Sequence, residues 1–161
     1  MNDACLSAEA EKLLAELIRR GLSLACAESC SGGWIAKLIT DIPGSSAVLE
    51  RGFVTYSNAA KQEMLGVPAV IIQAQGAVSR ETVAAMVSGA LAHSRADLAL
   101  AVSGIAGPSG GSLEKPVGSV WLGWGRRGQP PLTRLERFSG ERDQVRRQAV
   151  LAALRGVWQL F

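Results

Sequence analysis

The stretch Leu98-Ala99-Leu100-Ala101-Val102-Ser103-Gly104-Ile105-Ala106-Gly107-Pro108-Ser109-Gly110-Gly111 decides how the rest of the chain is read. Its first five residues are all apolar, the composition of a strand covered on both faces rather than one. The run then breaks into a loop rich in glycine. A buried strand that opens into such a loop belongs to α/β sheets, whose carboxyl edge exposes backbone N–H groups to anionic ligands. Glycine also lets a ligand approach the backbone closely. The loop lacks the Lys-Ser/Thr ending of a P-loop and the spacing of a dinucleotide fingerprint, so both nucleotide motifs fail here. Ser103, Gly104 and Gly107 stand as candidate ligand contacts, and a flexible connector is the plainer alternative with equal weight.

Upstream, Ser7 with Glu9 and Glu11 ahead of Leu13, Leu14, Leu17 and Ile18 predicts a capped amphipathic helix stopping at Gly21. Residues 22–27 are a short apolar run that ends at Glu28-Ser29-Cys30-Ser31-Gly32-Gly33. A helical pattern follows through Trp34, Ile35, Leu38 and Ile39. Turn chemistry occupies 41–46, a strand is expected over 48–57, and Asn58 reads as the cap of a helix reaching Gly66. Ser79 opens another helix through Val83, Met86, Val87 and Leu91. Downstream, strands are expected over 117–124 and 132–138, joined by a hairpin across 126–131, with a closing helix over 142–160. The expected architecture is a single-domain α/β fold, a three-layer α/β/α sandwich with a mixed sheet, spanning 1–161.

The 161 residues, 48% hydrophobic and 19% charged, suffice for one substantial core. No apolar run reaches the ~18 residues of a membrane span, and Met1-Asn2-Asp3-Ala4-Cys5 has neither the basic region nor the apolar core of a signal peptide. A soluble cytoplasmic protein is expected. The cysteines Cys5, Cys26 and Cys30 are odd in number, and the single histidine, His93, lies far from them, which argues against a disulfide framework or a zinc site. Neither a metal nor another cofactor is expected. Net charge is +3, with Arg126, Arg127, Arg134, Arg137, Arg142, Arg146, Arg147 and Arg155 crowded into the last third. Without interleaved stacking aromatics this does not read as a nucleic-acid surface, and most of these arginines read as a solvated face.

One histidine leaves a Ser-His-Asp or Cys-His arrangement only His93, at a helix C-terminus where histidine is ordinarily exposed. The main alternative for activating a serine is a lysine held neutral. Lys61 is the candidate: with Asn58 as cap it falls in the first helical turn, where the dipole disfavours an ammonium. The competing reading is an ordinary exposed lysine. Tyr56 stands at the end of the preceding strand, where a phenol could relay a proton. Ser46, before that strand, offers a hydroxyl, though spacing alone makes it a turn residue after Gly44. Arg142 and Arg146 share one face of the last helix and could clamp a phosphate or pair with surface carboxylates.

Six ordered motifs carry a family resemblance: Ala27-Glu28-Ser29-Cys30-Ser31-Gly32-Gly33, Pro43-Gly44-Ser45-Ser46, Val54-Thr55-Tyr56-Ser57-Asn58-Ala59-Ala60-Lys61, Ser103-Gly104-Ile105-Ala106-Gly107-Pro108, Lys115-Pro116-Val117-Gly118, and Gly140-Glu141-Arg142 with Arg146. Together they resemble the CinA C-terminal domain family, from about Leu13 onward. Its stand-alone members are nicotinamide-nucleotide amidohydrolases of the PncC type. The resemblance implies metal-free hydrolysis of nicotinamide mononucleotide to nicotinate mononucleotide and ammonia, in pyridine nucleotide salvage within NAD metabolism. Ser46, Tyr56 and Lys61 are the catalytic group it implies. Substrate phosphate is expected near Ser29, Ser31 and Gly32, near the Ser103 loop, or near Arg142 and Arg146. Ser103 stands where the family usually has threonine, and Gly111-Ser112 stands where its loop often continues Gly-Gly-Thr; both changes keep a hydroxyl, so binding is expected to survive. The domain of molybdopterin-binding type that many relatives carry ahead of this region is absent from the sequence, so its ADP-ribose pyrophosphatase activity is not expected.

Assembly as a homo-oligomer is compatible with all of this. Two other functional classes fit less well. A catalytically dormant module acting through a protein partner would share the fold but release no ammonia. A phosphotransferase would need a magnesium-binding carboxylate beside a glycine loop, and neither loop has one.

Overall fold

β3 (Leu98–Gly104) is the middle strand of the sheet, and its alternation explains the layers on either side. Leu98, Leu100 and Val102 enter one apolar cluster; Ala99 and Ala101 enter the other. β1 (Leu24–Glu28) divides in the same way, with Leu24 and Cys26 on the first side and Ala25 and Ala27 on the second. Bulky residues therefore face one helical layer and small ones face the other. The computed structural model describes residues 3–161; Met1 and Asn2, from the stretch read above as lacking a signal core, lie outside the described residues.

Strand order is β2-β1-β3-β4-β5, with β2 (Leu49–Val54), β4 (Ser119–Arg126) and β5 (Leu132–Arg137) completing the sheet. β1 runs parallel to both β2 and β3, whereas β4 is antiparallel to β3 and to β5, which makes the sheet mixed as expected. The β4–β5 hairpin turns where the sequence indicated, closed by Gln129 N–H donating to the Arg126 carbonyl at 3.0 Å.

α1 (Asp3–Arg20), α2 (Trp34–Thr40) and α6 (Arg142–Gly156) pack on the Leu98 side of the sheet. α3 (Asn58–Leu65), α4 (Ala69–Gln75) and α5 (Arg80–Ala92) cover the alanine side. Small residues allow α5 to sit low on the sheet. A Cβ on Gly125 would lie 2.5 Å from Val87 Cγ1, and one on Gly89 would lie 2.0 Å from the carbonyl oxygen of Leu65 in α3. The close α3–α5 approach matters because α3 carries Lys61.

Several boundaries differ from expectation. α1 begins at Asp3 rather than at Ser7, because Leu6 and Ala10 extend its buried face. α4 was not expected; its seven residues follow Pro68 and bury only Ile72, too little periodicity to register. The cap of α3 is Ser57 rather than Asn58, its side chain accepting from Ala60 N–H at 3.0 Å. The closing helix stops at Gly156 and continues as a 3-10 turn over Val157–Leu160.

Candidate active site

Parallel β1 and β3 end side by side, and the residue following β1 is Ser29, whose N–H donates to the Val102 carbonyl of β3 at 3.0 Å. Immediately before it, Glu28 is buried, and its carboxylate gathers four donors. Ser31 Oγ donates at 2.7 Å, and the N–H groups of Gly33, Ile35 and Ala36 donate at 3.1, 3.1 and 2.9 Å. No cap side chain precedes α2, whose Gly33 cap has φ of 93°. Glu28 therefore does that work from the strand, satisfying the helix's first N–H groups and complementing its dipole. The result is a fixed turn with Ser29 at its root.

Lys61 enters from α3. Only 1% of it is exposed, and its Nζ lies 3.0 Å from Ser29 Oγ, 2.7 Å from the Thr55 carbonyl and 3.4 Å from the Tyr56 carbonyl. Among the described residues it makes no ion pair. Burial lowers its pKa below the ordinary 10.5, because an ammonium without a counter-ion is poorly solvated there. The helix-dipole argument from the sequence is corrected. With Ser57 as cap, Lys61 N–H already makes the first i to i−4 bond, to the Ser57 carbonyl at 3.2 Å, so the side chain stands past the first turn and burial is the cause.

Ser46 is exposed in the 3-10 turn Ser45–Ala47, ahead of β2. Lys61 holds Thr55 and Tyr56, beyond the other end of that strand. The six residues of β2 span roughly 17–20 Å. Ser46 and Lys61 are thus at opposite edges of the sheet, and their expected pairing is corrected: the serine beside Lys61 is Ser29. A spacing rule could have flagged this, because a parallel neighbour of β2 must end where β2 ends. Register alone, however, does not identify which strand is the neighbour.

The cleft at this edge encloses about 190 Å³ and is lined by Ser29, Lys61, Ser103, Tyr56 and Arg142, with Cys30, Ala77, Val78, Gly104 and Ala106. Ser103 Oγ donates to the Ala77 carbonyl at 2.8 Å, which ties the glycine loop to the α4–α5 connection. Burial pushes the Cys30 thiol up to about 11, so at neutral pH it is not a competing nucleophile. Tyr56 is 61% exposed, and its hydroxyl accepts from Arg142 Nη2 at 3.2 Å. A relay from that hydroxyl to Lys61 is corrected to a contact with Arg142; only the Tyr56 carbonyl meets the amine. Arg142 Nη1 also donates to the Gly107 carbonyl at 2.8 Å.

Three other expected ligand contacts are turned to structural use. Ser31 is buried and committed to Glu28. Gly107 takes φ of 81°, where a Cβ would meet Val117 at 2.6 Å, and its carbonyl serves Arg142. Arg146 donates to the carbonyls of Cys30 and Ser31 at 3.0 and 2.9 Å and lies over the Trp34 ring, so it braces the turn and borders the adjoining wider groove, not the cleft beside Lys61. Gly32 lies with Arg146 on a separate groove toward α1 and α2. Beyond Arg142 and Ala106 the cleft adjoins a wider groove of about 650 Å³ along Pro108, Val117 and the start of α6. Among the described residues no three Asp, Glu, His or Cys side chains cluster as metal ligands would, and no helix is long and apolar enough to cross a membrane.

Residues 6–161 match the family described as CinA C-terminal domain. The nicotinamide-nucleotide amidohydrolase PncC of Escherichia coli strain K12 is 53% identical over 161 residues, covering 100% of this chain and 98% of that protein. The protein of the same name from Pseudomonas putida is 55% identical over 148 residues, covering 91% of this chain and 92% of its own. Among solved structures, competence/damage inducible protein CihA from Agrobacterium tumefaciens superposes with a TM-score of 0.94 at 45% identity, covering 97% of this chain and 95% of that one. A CinA-superfamily protein from Escherichia coli superposes at 0.93 with 33% identity, covering 100% and 94%.

Proposed function

We propose, for a chain that belongs to the CinA C-terminal domain family, hydrolysis of the carboxamide of nicotinamide mononucleotide through an acyl-enzyme on Ser29, with Lys61 as the base. Full-length similarity to proteins named nicotinamide-nucleotide amidohydrolase supports the reaction. The observation that carries the mechanism is the 3.0 Å separation of Ser29 Oγ and Lys61 Nζ in a buried site that has no counter-ion among the described residues.

A neutral lysine amine has two hydrogens and one lone pair. With its hydrogens given to the carbonyls of Thr55 and Tyr56, a neutral Lys61 has its lone pair left to accept from the Ser29 hydroxyl 3.0 Å away. Lys61 takes the hydroxyl proton as Ser29 Oγ bonds to the carboxamide carbon. The resulting ammonium returns that proton to the departing nitrogen as the C–N bond breaks, releasing ammonia. Water then attacks the ester, Lys61 accepts its proton and passes it to Ser29 Oγ, and nicotinate mononucleotide leaves. The two carbonyls stabilise the transient ammonium.

The developing oxyanion needs N–H donors. In the turn after Ser29, the amides of Gly32 and Trp34 already donate to the Ser29 and Ser31 carbonyls, and Gly33 donates to Glu28. The Cys30 and Ser31 amides are left for that role. The phosphate extends into the groove beyond Arg142, whose guanidinium has five N–H donors and meets only two protein acceptors. Ammonia release from nicotinamide mononucleotide by the purified protein, set against nicotinamide and its riboside, tests this function. A folded protein that releases none from the mononucleotide refutes it.

A further inference from the structure

We propose that the ring of Tyr56 is the surface that receives the cationic pyridinium of the substrate, making Tyr56 the residue that favours an oxidised nicotinamide ring over a reduced one. The inference rests on the amidohydrolase reading above and assigns it a specificity determinant.

The cleft creates the need. Nicotinamide mononucleotide carries a positive charge in its aromatic ring, yet the residues lining the cleft include no carboxylate. Its charged or chargeable walls are Lys61, held toward the neutral form by burial, and Arg142. The remaining walls are alanine, valine, glycine, serine and the Cys30 thiol. A cation there has one attractive partner available from a side chain, the face of an aromatic ring, and Tyr56 is the only aromatic residue lining the cleft.

Tyr56 is also held at both ends. Its carbonyl meets Lys61 Nζ at 3.4 Å, and its hydroxyl accepts from Arg142, which is itself anchored on the Gly107 carbonyl. Such a ring loses little freedom when a ligand stacks on it. It is 61% exposed, although an aromatic side chain ordinarily gains by burial. The Arg142 cation touches the hydroxyl end only, the end that leads to the wider groove, so the substrate's phosphate lies between the two positive charges.

The test compares kcat/KM for nicotinamide mononucleotide and for its reduced, uncharged dihydropyridine form in the unaltered protein, Tyr56→Phe and Tyr56→Leu. The oxidised ring also activates the carboxamide intrinsically, but that factor is common to all three proteins and cancels when their ratios are compared. Tyr56→Phe is expected to keep the oxidised-to-reduced ratio within about twofold, and Tyr56→Leu to lower it by roughly 3- to 30-fold, the range of a cation–π contact. The same ratio of Kd values, measured by calorimetry in a Ser29→Ala background, reports binding without turnover. Turnover with a ratio untouched by Tyr56→Leu overturns the proposal alone. So does a Tyr56→Phe loss as large as that of Tyr56→Leu, which would assign the effect to the hydroxyl. Ammonia release from neither compound, with a Kd ratio that still depends on the ring, overturns the hydrolase reading and not the ring's preference.

Discussion

Replacing Ser29 and, separately, Ser46 by alanine distinguishes the two hydroxyls that the sequence and the structure bring forward. Ser29 Oγ has one side-chain contact of consequence, with Lys61 Nζ at 3.0 Å, and that amine retains the Thr55 carbonyl at 2.7 Å when the hydroxyl is removed. No buried donor is stranded, so Ser29→Ala should cost only about 1 kcal/mol, the net value of one hydrogen bond. In a chain of 161 residues that lowers Tm by roughly 2–4 °C. Catalysis should suffer far more. Removing the nucleophile of a covalent mechanism costs on the order of 10⁶-fold in kcat, about 8 kcal/mol of transition-state stabilisation. Ser46, exposed and a strand's length away, should tolerate alanine with kcat/KM within about twofold. Coupled ammonia assays on both variants, with thermal unfolding as the control for folding, read the contrast. A folded Ser29→Ala protein within tenfold of normal turnover, or a Ser46→Ala protein reduced a thousandfold, would refute the assignment of Ser29.

As the proposed base Lys61 must be deprotonated, so kcat/KM should rise with pH through an inflection below 10.5 and vanish on the acid side of it. The folded state binds this proton less readily than the unfolded chain, so stability should also rise with pH between the folded and unfolded lysine pKa values. Lys61→Met should flatten that dependence in denaturant midpoints, and an unchanged slope would contradict a depressed lysine. Glu28→Ala leaves the amides of Gly33, Ile35 and Ala36 and the Ser31 hydroxyl without their acceptor. A loss of about 2–4 kcal/mol is expected by chemical denaturation, together with most of the activity; normal stability would deny the capping role. Arg142→Ala should narrow the difference in kcat/KM between nicotinamide mononucleotide and its riboside by roughly ten- to a hundredfold, since a charged hydrogen bond to phosphate is worth ~1.5–3 kcal/mol. An unchanged difference would free Arg142 from the phosphate and leave it as a tether for Tyr56 and the glycine loop.

Much of this architecture was already legible in local pattern. The apolar run at 98–102, the Gly32-Gly33 and Gly110-Gly111 punctuation and the hairpin at 126–131 act over a few residues, and backbone sterics translate them directly into strand and turn. Lys61 was likewise legible as a candidate base, through the elimination of His93 and the family resemblance. Its partner was not. Ser29 and Lys61 are 32 positions apart and meet because β1 pairs parallel to β2, so that both strands end at one edge. Ser46, only 15 positions from Lys61, is carried to the opposite edge by the intervening strand, because an extended segment separates its ends by ~3.3 Å per residue. Spacing had made Ser46 a turn residue, and only the family resemblance had grouped it with Lys61, across an intervening strand. The fates of Arg142 and Arg146 were decided in the same way. Both lie on one turn of α6, yet Arg142 faces the cleft while Arg146 is taken up by the carbonyls of Cys30 and Ser31. Composition and periodicity determine which residues form strands and helices and which side chains have reactive chemistry. Which of those side chains meet is settled by strand order and register, contacts between distant segments that no local window contains.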